Sequence, residues 1–213
     1  LTNENFKFGT AKKIKINNKE VLAQRLSYVG ELGFELYIKM NEAKEIYNLI
    51  VDKGQEFNLS NCGMHAMDTM RMESGFLHWG HDISPEENQY EASLRFAISY
   101  KKDVNFIGKE ALIKIKEKKQ TKKFVMLVLE NSRPGEPLLL HDEPIYLEDK
   151  IIGRTTSGNY SFNFEKNLAF GYVNMEQGLE CLNNKNLYIE IEKNKFKATL
   201  LSKPLNTKDI KSN

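Results

Sequence analysis

Arg25-Leu-Ser-Tyr-Val-Gly-Glu-Leu-Gly-Phe-Glu-Leu-Tyr-Ile38 is the stretch on which the reading of this chain turns. Two apolar-rich runs flank Gly30 and Gly33, residues that adopt the positive φ of a reversal at no steric cost. The pattern predicts one strand over Val21 to Tyr28, a second over Phe34 to Ile38, and a hairpin between them. On the second strand Phe34, Leu36 and Ile38 share one face, and Glu35 points to the other, toward Tyr28. An aromatic and a carboxylate on one sheet face suit a flat, nitrogen-rich heterocycle. The ring covers its apolar face and the acid accepts its N–H edge. A half-buried hairpin with a solvated glutamate fits the same letters.

Outward from the hairpin, Ala11 to Ile16 alternates charge and apolar residues as a strand does, and Asn17-Asn18 marks a turn. Asn41 is a candidate N-cap for a helix reaching Asp52, with Ala43, Ile46, Tyr47 and Ile50 as its apolar stripe and Gly54 as its end. A second helix is predicted from Met64 to Glu73, its stripe Met64, Met67 and Met70 with Met72 as a further candidate, and a long loop from Phe76 to Asn88. A third helix is predicted over Gly108 to Lys119. Short strands then follow at Phe124–Leu129, Pro144–Leu147, Ile151-Ile152, Leu168–Val173, Leu187–Ile191 and Phe196–Leu201. Turns are expected at Asn131, Pro134-Gly135, Gly158-Asn159 and Asn183-Asn184. That spacing fits a small antiparallel barrel or sandwich. The fold class is α+β.

With 213 residues, 40% hydrophobic and 28% charged, the chain can bury a core in one domain or two small ones. A net charge of +2 exerts no strong pull toward nucleic acid or a membrane surface. No apolar run approaches the roughly 20 residues of a membrane helix. Cys62 and Cys181 lie far apart and read as reduced thiols in a cytoplasmic setting. The loop residues His78, His81 and Asp82 have metal-ligand chemistry but no second ligand pair, so no metal is expected. Cys62 and Ser60 have no positioned base. Gly153-Arg-Thr-Thr-Ser-Gly158 lacks the spacing and lysine of a phosphate loop, and no dinucleotide fingerprint is present.

Tyr28-Val-Gly-Glu-Leu-Gly-Phe-Glu35 resembles the corresponding segment of the glycine-cleavage T-protein (aminomethyltransferase) family. Further matches follow in family order at Gly63–Gly75, Trp79-Gly-His-Asp-Ile83, Glu91–Leu94, Phe106–Leu112 and Gly153–Gly158. The Trp-Gly-His-Asp form is nearer the folate-binding C-terminal region of dimethylglycine and sarcosine dehydrogenases than the free-standing T-protein. So is Met67, which stands where T-proteins carry an arginine near the folate. The resemblance implies the second half of a ferredoxin-like folate-binding core over residues 1–100, a connecting helix over 101–120 and a C-terminal antiparallel β-barrel over 121–213.

It also implies the chemistry. Tetrahydrofolate is the cofactor, with Tyr28 lining the pterin pocket, Glu35 accepting from the amino-pyrimidinone edge and Phe96 stacking beside the folate; as a plain residue, Phe96 reads equally as core. The implied reaction is aminomethyl or one-carbon transfer giving 5,10-methylenetetrahydrofolate. A folate-dependent demethylase and a non-catalytic folate-binding module are the other readings. The family's catalytic aspartate matches no residue here, so turnover by this chain alone is not expected. Partners on this reading are a small-molecule one-carbon donor and either a lipoyl carrier protein or a fused dehydrogenase domain, the latter bringing FAD.

Overall fold

A computed structural model describes residues 2–175, 182 and 186–208. Cys181 and the expected turn at Asn183-Asn184 lie outside the described residues. The chain forms two compact units, one of residues 1–76 with 206–213 and one of residues 77–205.

The first unit is built on a three-stranded antiparallel sheet in the order β1 (Ala11–Ile16), β2 (Lys19–Gln24), β3 (Glu35–Tyr37). Asn17 and Asn18, both at positive φ, make the tight β1–β2 turn. The predicted β2–β3 hairpin is looser than its letters imply. β2 stops at Gln24 and β3 begins at Glu35, so residues 25–34 form a ten-residue loop. Three bonds organise that loop in place of a tight turn. The Ser27 hydroxyl accepts from the amides of Val29 (3.4 Å) and Glu31 (3.2 Å), and the buried Arg25 donates from Nη1 to the Phe6 carbonyl at 2.7 Å. Gly30 sits at φ +71°, where an added Cβ would lie 2.0 Å from Ser74 Oγ. Asn206 closes over the same point, donating from its side chain to Gly30 O (3.3 Å) and Ser74 Oγ (3.1 Å).

Helix α1 (Met40–Gly54) starts one residue before the predicted cap. Lys39 occupies the N-cap position with no side-chain bond, and Asn41 lies inside the first turn. Ile46 is its buried centre; Tyr47, predicted to share that stripe, is half exposed. Helix α2 (Met64–Glu73) spans the predicted residues, and burial concentrates in its C-terminal half. Met64 is exposed, and burial falls on Thr69, Arg71, Met72 and Glu73 in the C-terminal half. Arg71 is held there by Asp68 (2.7 Å) and the Phe76 carbonyl (3.2 Å), so its charge is satisfied as it is desolvated.

The second unit is a closed six-stranded antiparallel barrel, ordered β4 (Lys122–Leu129), β7 (Lys166–Asn174), β6 (Lys150–Ser161), β5 (Pro144–Leu147), β8 (Leu187–Ile191), β9 (Asn194–Leu201). Closure removes the strand edges. Val125, Leu127 and Leu129 of β4 face the interior with Ala169 and Val173 of β7. The alternate residues Phe124, Phe170 and Tyr172 are buried too, on the outer wall, with edge-to-face rings 5.2 and 5.7 Å apart. Segment 82–92 covers that wall: Phe124 N–H donates to the Glu91 carbonyl (2.8 Å) and Lys123 Nζ to that of Tyr90 (2.7 Å). These bonds explain why residues from Leu77 onward group with the barrel. Helix α3 (Lys109–Glu117) lies between this segment and β4 in sequence.

β6 is twelve residues long, so Gly158-Asn159 lies within a strand and makes no turn. The glycine is needed for packing, since a Cβ there would meet Leu139 Cγ at 2.4 Å.

Candidate functional site

The proposed ligand residues of the first unit fall in two places along its chain. Tyr28 belongs to the 25–34 loop, and its ring stacks on Phe76 at 12° with centroids 6.2 Å apart. The two rings form a flat aromatic wall. Glu35 opens β3, is exposed, and accepts a 2.8 Å bond from the Tyr37 hydroxyl at its Oε2. Positions i and i+2 of a strand share a face, so this pair follows directly from the alternation that put Glu35 opposite Leu36. The glutamate, by that bond first and its charge second, pushes the Tyr37 phenol above its usual range. Phe96 belongs to the second unit, in a 3-10 turn at Arg95–Ala97, and is 85% exposed. It is not a core aromatic.

The structure brings together two motifs that sequence reasoning kept apart. Asp82, 1% exposed, accepts at Oδ1 from the Thr156 (2.5 Å) and Ser157 (2.8 Å) hydroxyls and at Oδ2 from the His78 amide (2.9 Å). Its own carbonyl accepts from the Tyr172 hydroxyl at 2.9 Å. Adjacent strand residues ordinarily point to opposite faces, so two neighbours should not reach one oxygen. Here the β6–β7 register shifts between Thr155 and Ser157, leaving Thr156 as the extra residue of a bulge. The bulge turns both hydroxyls outward. Trp79-Gly-His-Asp82 and Gly153–Gly158 are therefore two halves of one clamp. The legible signal was a run of hydroxyl residues with no phosphate-loop lysine and an acid in a loop with no ligand partners.

Beside the clamp opens a cavity of about 580 Å³ between Gly80–Glu87 and the strands carrying Lys122, Arg154 and Tyr172. Its charges are largely paired within its walls: Lys122 with Glu87 at 2.6 Å and Arg154 with Asp142 at 2.9 Å. The His78 and His81 rings lie 4.6 Å apart on the covering loop. Among the described residues no three His, Cys, Asp or Glu converge as a metal site.

Burial by itself pushes the Glu87 carboxyl up, but the Lys122 bond and charge and the Ser84 bonds outweigh it and hold the group below 4.5. A carboxyl with a lower pKa folded than unfolded stabilises the fold above about pH 4.5, and that stability drains away as pH falls through the folded value. Glu87→Gln is expected to flatten the acid limb of the stability–pH curve measured by urea unfolding between pH 6 and 3. An unchanged acid limb would remove the pair from the account. Burial pushes the Tyr172 phenol far up, with Glu87, Asp82 and Glu91 adding to it, so its hydroxyl remains a donor to the Asp82 carbonyl.

Residues 1–102 match the GCVT N-terminal domain, and residues 122–206 match the glycine cleavage T-protein C-terminal barrel domain. The chain belongs to the glycine-cleavage T-protein family. Its relatives match most of this chain but are longer. Mitochondrial dimethylglycine dehydrogenase of Homo sapiens is 36% identical over 96% of this chain, which covers 23% of that protein. Aminomethyltransferase of Listeria welshimeri is 33% identical over 92% of the chain, covering 51% of that protein. The chain thus spans about half the length of this aminomethyltransferase and a quarter of the dehydrogenase. The crystal structure of aminomethyltransferase T from Bartonella henselae superposes with a TM-score of 0.80 at 22% identity, over 96% of this chain and 54% of that one. At that identity the T-protein fold is what the superposition carries. No helix among the described residues is long and apolar enough to cross a membrane.

Proposed function

We propose that this chain supplies part of a tetrahydrofolate site in a one-carbon transfer enzyme, and that the product is 5,10-methylenetetrahydrofolate. The observation that carries the reading is the ordered match of both T-protein domains, with 36% identity to dimethylglycine dehydrogenase across nearly the whole chain. The donor set of the first unit is compatible with a reduced pterin. Tyr28, backed by Phe76, offers a flat apolar face, and Glu35 offers a solvent-reachable carboxylate.

When bound, the folate supplies the nitrogen that accepts the one-carbon unit. What the residues of this chain do is hold and orient. Glu35 accepts two adjacent N–H donors of the amino-pyrimidinone edge, a charge-assisted pairing that fixes rotation in the ring plane. To do so it exchanges its bond to Tyr37 for the ligand's. Tyr28 covers one ring face and keeps water from it. Phe96 stays in the proposal on the family resemblance alone. Orientation of this kind lowers the barrier by pre-arranging the reacting atoms, with the acid–base step assigned to residues this chain does not match. The one-carbon donor is a small amine-derived molecule, with a lipoyl carrier or a flavin dehydrogenase domain as the partner delivering it. A reducing, cytoplasmic setting stays in the proposal on the reading of the two cysteines in the sequence alone.

Glu35→Gln in the intact enzyme is expected to weaken binding of folinic acid, a stable reduced folate, roughly tenfold, the worth of one charge-assisted bond. Titration calorimetry reads it directly; equal affinity of parent and variant removes Glu35 from the site. Methyl- in place of methylene-tetrahydrofolate as product would make the enzyme a demethylase.

A further inference from the structure

In the barrel unit, the turn at Pro134-Gly135 joins two residues of opposite charge. Arg133 N–H donates to the Glu136 carbonyl and Glu136 N–H to the Arg133 carbonyl, both at 3.0 Å. Gly135 at φ +75° supplies the left-handed step of that two-residue reversal. Residues that exchange both backbone bonds stand directly opposite each other, side chains on one face, with Cβ atoms about 5 Å apart. A guanidinium and a carboxylate so placed are within easy reach, yet neither Arg133 nor Glu136 makes an ion pair among the described residues. Beside them, at the end of the barrel where β4 leaves it, opens a cavity of about 660 Å³, the size of a small-molecule site. Its other wall is the β8–β9 turn. Glu192 and Lys193 sit there at φ +50° and +66°, and the Asn194 side chain donates to the Glu192 carbonyl at 3.2 Å. The Glu192 carboxylate also makes no ion pair among the described residues. Phe196, packed on the barrel core, and Leu138, 57% exposed, add an apolar side. The buried Asn167 of β7 pins the first wall by donating to the Pro137 carbonyl at 3.1 Å.

We propose that this cavity binds a free α-amino acid with an apolar side chain. Arg133 takes the carboxylate in a bidentate pair, Glu136 and Glu192 take the ammonium, and Leu138 and Phe196 cover the side chain. The charges select this class of ligand. A simple carboxylate meets two unpaired acids along with Arg133, and a simple amine meets an unpaired guanidinium. A molecule carrying both charges on neighbouring atoms satisfies both sides of the turn at once. A peptide holds its terminal charges too far apart to do so. Both walls are two-residue turns tied into the barrel, so the polar groups are placed before the ligand arrives and little ordering opposes binding.

Titration calorimetry of the intact enzyme with L-leucine tests the site, with L-leucinamide and 4-methylpentanoate as probes that lack the carboxylate and the ammonium. The expected result is saturable binding of L-leucine, weakened roughly tenfold or more for either analogue, the worth of one charge-assisted pairing. Arg133→Ala should erase the preference for L-leucine over L-leucinamide. Glu136→Gln with Glu192→Gln should erase the preference over 4-methylpentanoate. All three side chains are exposed, so the melting temperature of each variant stays at that of the parent. An amino acid bound elsewhere in the enzyme keeps its preferences in both variants, and that result overturns the proposal. So does equal affinity for the three compounds, which marks an apolar depression only, or no saturable heat up to about 10 mM L-leucine.

Discussion

Replacing Asp82 by Ala is expected to lower the unfolding free energy of the barrel unit by about 2–4 kcal/mol, through loss of charge-assisted bonds and stranding of buried donors. Two hydroxyls and one amide converge on that carboxylate, and all three donors lose their acceptor together. Removing one donor at a time is milder. Thr156→Val and Ser157→Ala should each cost about 1 kcal/mol, the net worth of an ordinary hydrogen bond. Because the three groups share one oxygen or its neighbour, the costs cannot add. A double-mutant cycle between Asp82→Ala and Ser157→Ala should show coupling above about 0.5 kcal/mol. Denaturant unfolding followed by the fluorescence of Trp79, the only tryptophan and three residues from the acid, gives all four values. If Asp82→Ala unfolds within error of the parent, the clamp is a contact without energetic weight.

The second large effect is expected at Gly153. A Cβ there would lie 1.9 Å from the Tyr172 carbonyl oxygen and 2.9 Å from the Val173 Cα, both backbone atoms of the paired strand β7. A flexible side chain could swing aside; a hydrogen-bonded strand cannot. Gly153→Ala should therefore cost about 3 kcal/mol, at the upper end for overpacking, and should perturb the β6–β7 ladder next to the bulge. Gly135→Ala is the comparison. Its φ is +75° but nothing lies within 4 Å, so only the strain of a left-handed alanine applies, about 1 kcal/mol. Equal melting temperatures for the two variants would show that the strand pair separates more easily than its geometry implies.

The barrel was legible because most of its strands are short runs rich in β-branched and aromatic residues, continuous where both faces are buried, as in β4 and β7, and alternating in β8. β5 and β8 fall on the predicted residues. β6 was not legible. Its glycines look like turn residues, and only three-dimensional packing shows that Gly158 makes room for Leu139. The loop over residues 25–34 was misread for the converse reason. Gly30 and Gly33 did signal a reversal, but Arg25, Ser27 and Asn206 determine its width, and Asn206 lies far along the chain. Of the methionines of α2, Met72 is buried and Met64 is exposed, because helical spacing finds a stripe without saying which end of it is covered. Of the candidate site, Glu35 and Tyr28 were readable as residue types in a motif. The Tyr37 bond that now occupies Glu35 follows from strand alternation, and the Tyr28–Phe76 stack does not. The clamp needed a bulge, and a bulge leaves no periodic trace in sequence.

A crystal structure of the intact enzyme with folinic acid tests the central claim most directly. The account predicts the pterin ring lying on Tyr28, its amino-pyrimidinone edge within hydrogen-bond distance of both Glu35 carboxylate oxygens, and the Tyr37 hydroxyl displaced from Oε2. Folinic acid bound with Glu35 still paired to Tyr37 and no ring against Tyr28 would contradict it.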